Sequence, residues 1–167
     1  MPVAERNSTP VASPALTSPN REHNAPKWIG YACLAVLVAL YVVGAVSHGS
    51  LRHEVQTLPL WVPIVLGFRG NQMAKWAALP CLVFWIAMMA LIWLFLLGWA
   101  HILSGRFSPV EIAMTLVVGV ASVTGTAAGL RWKTAVKPWA ATATVVGFLV
   151  LQVLALRISF LPAIAHQ

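Results

Sequence analysis

Charge is the property this chain has least of. Of its 167 residues only 9% are charged, and its acids number four. A soluble domain carries roughly 25% charged residues, so no ordinary water-facing surface can be built from this composition. A soluble catalytic domain has no room. Cysteine is nearly missing as well: Cys33 and Cys81 are the only two, and both lie inside apolar runs, so no disulfide framework can be read. No folded basic face of the kind a nucleic-acid reader needs is present, which excludes nucleic acid as a partner. The middle of each long apolar run lacks an ionisable residue, where a proton-coupled pathway would keep one. No run carries the polar stripe that lines a channel.

What the chain has is long uncharged stretches. Trp76 to Leu103 holds no Asp, Glu, Lys or Arg over 28 residues, and a bilayer core needs about 20 apolar residues of helix. Three further runs of similar kind lie at about 28–47, 109–130 and 138–156. The fold class expected is an all-α membrane protein with four transmembrane helices. A Pro-, Ser- and Thr-rich tail, 1–27, precedes the transmembrane domain 28–157 and is expected to be disordered. A short tail, 158–167, follows. The first run is preceded by too much polar chain for a cleaved signal peptide and reads as an uncleaved anchor. The product is an integral, multi-pass protein of a cell membrane, plasma or inner.

Local signals refine the helices. Ser108-Pro109-Val110-Glu111 is a helix start, with a hydroxyl cap, proline where no donor is needed and a carboxylate three residues on. Asn71 is placed to cap the helix that enters the central run. Ala121, Gly125 and Gly129 repeat at steps of four, the spacing that lets two helix backbones approach closely in lipid. Ala143 and Gly147 repeat the step in the last run, which makes that run the expected partner. Gln152, near the end of the last run, is expected to bond a neighbouring helix; Glu111 and His101 stand at its level.

The connection from His48 to Lys75 is the least ordinary part. Within it Leu58 to Phe68 is an apolar run of 11 residues with Pro59, Pro63 and Gly67. As helix it rises only about 16 Å, so it is expected to lie in the interface or to dip in and return, between the first and second spans. Four spans put both termini on one face of the membrane. On that alternation Cys33 and Cys81 differ in depth by roughly 12 Å, too far for a disulfide. His48 and His53 point about 140° apart on a helix, so neither a metal nor another cofactor is expected. Basic residues near span ends favour the face holding Arg52, Arg69, Lys75, Arg131, Lys133 and Lys137 as cytoplasmic.

Two functions fit. The first is a non-enzymatic accessory or assembly subunit that packs against other membrane proteins or its own copies through its small-residue faces. The alternative is a small membrane enzyme or carrier for an anionic lipid or amphipathic substrate at the His48–Lys75 connection. There His48, Arg52, His53 and Glu54 would be the catalytic candidates, with Arg69 and Lys75 binding the anion. That alternative requires Arg52, His53, Arg69 and Lys75 to converge. The +7 formal charge makes the bilayer, and anionic lipid head groups in particular, the expected partner, contacted by Arg69, Lys75, Arg131, Lys133 and Lys137.

Overall fold

The computed structural model describes residues 20–47, 50–99 and 107–161. They form five α-helices: α1 (Asn20–Val46), α2 (Ser50–Phe68), α3 (Met73–Leu96), α4 (Pro109–Arg131) and α5 (Pro138–Ser159). Four of them, α1, α3, α4 and α5, are long and apolar enough to cross a membrane. The all-helical membrane architecture is as expected. The chain around α2 is not.

Helix ends follow local chemistry. Ser108 Oγ accepts from the Glu111 amide while the Ser108 amide donates to Glu111 Oε2 at 2.6 Å, the capping box read from the sequence. Asn71 Oδ1 accepts from the Met73 amide at 2.9 Å at the start of α3, while the N-cap position is Gln72, whose side chain makes no capping bond. The long central run stops early, because Gly98 adopts φ 76° and the Trp99 amide turns back to the Leu94 carbonyl. Gly70, at φ 68°, closes α2 in the same way, with the Asn71 amide on the Leu66 carbonyl. Both are left-handed caps that only glycine enters at no steric cost. At its other end α1 begins at Asn20, eight residues before the apolar run.

Glycines set how the helices are threaded. A Cβ on Gly125 would meet Ala32 Cβ at 2.6 Å and Leu82 Cδ1 at 2.9 Å, whereas one on Gly129 would meet Leu79 at 3.3 Å and Ile29 at 3.8 Å. Moving down α4 from 129 to 125 therefore moves up α1 from 29 to 32 and up α3 from 79 to 82. Helices α1 and α3 point the same way. The chain has to return between them, and α2 is the return. A Cβ on Gly67 would stand 2.8 Å from Gly30 Cα and from the Pro26 carbonyl oxygen, so α2 ends beside the beginning of α1.

The expectation of a short interfacial or re-entrant piece at 58–68 is thereby corrected. Pro59 and Pro63 lie inside one continuous helix of 19 residues, which rises about 28 Å. Its buried face carries Gln56 and Thr57 beside Leu60 and Ile64, while beyond the first turn its exposed residues, Leu58, Trp61, Val62, Val65 and Phe68, are apolar. An oily outer face that keeps amides and hydroxyls inside suits lipid.

The bundle is an arc wrapped on α3. Helix α3 touches all four others, α1 touches α2 and α4, and α2 touches α5; among the described residues α4 and α5 do not meet. With α1 and α3 parallel, Cys33 and Cys81 share one level and one buried core, which overturns the depth difference inferred from four alternating spans. Asn20 and Leu161 fall at opposite ends of the bundle, not on one face. One end, here the cationic end, holds Lys27, Arg69, Lys75, Arg131, Lys133 and Lys137. The opposite end holds Arg52, Glu54, Glu111 and Arg157.

Topology reporters fused to the two ends of the chain should report opposite sides of the membrane, with the cationic end cytoplasmic by the positive-inside rule. Two reporters on one side would show that α2 does not cross. Replacing Gly67 by Val should destabilise the bundle by about 1–3 kcal/mol, the usual cost of overpacking. Unfolding in detergent measures it, with Gly119→Ala as the silent control, since nothing lies within 4 Å of a Cβ there.

Candidate functional site

Polar side chains that lie within the helices must find partners inside the protein, and at the opposite end they do so between α2 and α5. Pro59 supplies no amide hydrogen to the Val55 carbonyl, which loosens the helix at that turn. One residue on, the Gln56 carbonyl accepts from Gln152 Nε2 at 3.1 Å. Gln56 Nε2 in turn donates to Ser159 Oγ at 2.8 Å, and Ser159 Oγ donates to the Leu156 carbonyl at 2.7 Å. Thr57 Oγ1 bonds the Glu54 carbonyl at 2.9 Å. Gln152 is fully buried and its Oε1 has no hydrogen-bond partner. The guanidinium of Arg52 caps the cluster by lying 4.0 Å over the Phe160 ring.

Amides and hydroxyls dominate this cluster. They orient α2 on α5 and provide no nucleophile paired with a base. Of the catalytic candidates, His53 is partly buried and Glu54 exposed on the first turn of α2, while His48 lies outside the described residues. Among the described residues no three His, Cys, Asp or Glu side chains gather as a metal would require. Gln152 bonds another helix, as expected, but that helix is α2. Glu111 is held in its own capping box on α4, which does not touch α5; His101 lies outside the described residues.

The convergence required by an enzyme or carrier at the His48–Lys75 connection is not found. Arg52 lies in the first turn of α2 and Arg69 just past its end, 17 positions or about 25 Å of helical rise apart, so they stand at opposite ends of the bundle. Lys75 is buried, with Nζ donating to the Trp132 carbonyl at 2.6 Å and lying 4.8 Å over the Trp76 ring. It neutralises the carbonyl end of α4, where a cation is favourable. Trp76 Nε1 to Thr134 Oγ1 at 3.2 Å and the Ala135 amide to Gln72 Oε1 at 3.0 Å complete this staple between α3 and the α4–α5 connection. Arg69, Arg131, Lys133 and Lys137 are exposed.

The small-residue stripe divides in two. Gly125 and Gly129 pack against α1 and α3, with Ala121 beside the core, so α5 is not their partner. Ala143 and Gly147 are exposed, and nothing lies within 4 Å of a Cβ on Gly147. Sequence reasoning missed Gln56, Ser159 and the Arg52–Phe160 contact. The available signal was the pair Gln56-Thr57 within one turn of Pro59, beside the Val55 carbonyl that the proline leaves without an amide donor. Comparison with family models, with curated proteins and with solved structures finds no match.

If the Gln56–Gln152 bond ties α2 to α5, Gln152→Leu should destabilise the bundle by about 1 kcal/mol, typical of hydrogen bonds between membrane helices. Unfolding of the single variants and of Gln56→Leu with Gln152→Leu gives the coupling. Strict additivity would show that the bond contributes nothing.

Proposed function

We propose that this chain is a non-enzymatic accessory or assembly subunit of a cell membrane, plasma or inner, that receives a helix of another membrane protein or of its own copy. The reading rests on one observation: the arc of helices around α3 is open between α4 and α5. The face of α3 left uncovered is a stripe at helical spacing, Val83, Ala87, Ala90, Leu91 and Leu94. Its two alanines leave room for close approach, and helices in lipid associate chiefly through such packing. Ala143 and Gly147 on α5 offer a second small-residue step at the surface. In support, α5 is the least buried of the four candidate spans.

Purification in mild detergent should yield a defined homo-oligomer or a stoichiometric membrane partner. Ala87→Phe or Gly147→Leu should weaken that complex at least tenfold, read by size-exclusion chromatography with light scattering. A bare monomer in several detergents and in nanodiscs would rule the proposal out, as would a complex indifferent to both changes.

A further inference from the structure

On the side of the bundle away from α5, α1 and α4 leave a groove of about 350 Å³, within the range of small-molecule pockets. Its floor is made of small side chains: Ala32, Ala35, Ala121, Gly125 and Ala128. The two backbones come so close at Gly125 and Ala32 that only such residues fit, and their shortness leaves the trough. Thr124 adds no polarity, because its hydroxyl is spent on the Val120 and Ala121 carbonyls at 2.8 and 3.1 Å. Trp28 and Tyr31, 66% and 55% exposed, stand at the mouth nearest the cationic end. Tryptophan and tyrosine favour that position because their rings match head-group depth.

The register carries on beyond the groove. Ile29 pairs with Gly129 and Ala32 with Gly125, so the next level outward pairs Lys27 with Arg131. Arg131 is seven positions from Thr124 and Lys27 four from Tyr31, which keeps both on the grooved faces of their helices. Both are exposed. Among the described side chains the acids, Glu54 and Glu111, stand at the other end of the bundle. An apolar trough about two turns long, ringed by aromatics and surmounted by two cations, matches one amphiphile better than a peptide helix.

We propose that this groove seats one acyl chain of an anionic phospholipid, with its phosphate held between Lys27 and Arg131. Two basic groups at a membrane surface correspond to about a 30-fold preference over a zwitterionic lipid. The test is native mass spectrometry of the full chain released from vesicles of mixed phosphatidylglycerol and phosphatidylcholine. One phosphatidylglycerol should remain per chain at about that preference. Lys27→Gln with Arg131→Gln should bring the ratio close to one, and Lys137→Gln should leave it intact. Because the glutamine changes are at exposed positions, the unfolding midpoint should hold and so separate lost binding from lost fold. Ala35→Phe, which fills the trough, should lower retention of both lipids. Equal retention by the unmodified chain, or a preference that survives the double change, would overturn the proposal. So would a photo-crosslinker at Ala35 that captures another protein or a second copy instead of lipid.

Discussion

The threading of this protein depends on a contact between two backbones, Gly30 on α1 and Gly67 on α2. Without side chains at either position the two helices lie close enough for α2 to run back along α1. That return makes α1 and α3 parallel, which in turn lets α4 lay Gly125 and Gly129 against both of them at once. Any side chain larger than hydrogen at Gly67 would meet the Pro26 carbonyl and Gly30, and α2 would have to move outward. The bundle is therefore built from one close approach, repeated with a different partner at Gly125.

Accommodating α2 raises a solvation problem, because its first turns carry Arg52, His53, Glu54, Gln56 and Thr57, and two of its residues are prolines. In hydrocarbon, each unsatisfied backbone or side-chain polar group costs several kcal/mol. The bundle answers locally. Gln56 and Gln152 bond across α2 and α5, Thr57 bonds its own backbone, and Arg52 lies over an aromatic face at the end of the bundle. From Leu58 onward the exposed residues of α2 are apolar, and Glu54 is exposed at its first turn. The polar groups of α2 are thus satisfied within the bundle by the helices beside it.

Charge is arranged with equal economy. Lys75 is turned inward to complete the carbonyl end of α4, while Lys27, Arg69, Arg131, Lys133 and Lys137 stay at the surface of the same end. With α2 running back along α1, Lys27 joins Arg69, Lys75, Arg131, Lys133 and Lys137 at one end of the bundle, and Arg52 moves to the other. The same end carries the aromatic mouth of the α1–α4 groove. An open arc on one side and an apolar trough on another describe a helix bundle whose outer surface is differentiated, not uniformly greasy.

Much of this was legible in the residues alone. Four uncharged lengths long enough for a bilayer, the Ser108–Glu111 cap, the Asn71 bond at the start of α3 and the small-residue step in α4 are properties of neighbouring positions, and neighbouring positions determined them. The sequence also implied that Gln152 would bond another helix, since depth in lipid forces it. Which helix, which face and which depth were decided by tertiary structure. Gly67 reads as a breaker in a short oily run until Gly30 is placed beside it, and that pairing lays 50–68 as a helix running back along α1. The common level of Cys33 and Cys81 and that of Lys27 and Arg131 follow from it. Local chemistry dictates whether a segment is helical and oily; the direction in which it crosses depends on contacts between residues far apart in the chain.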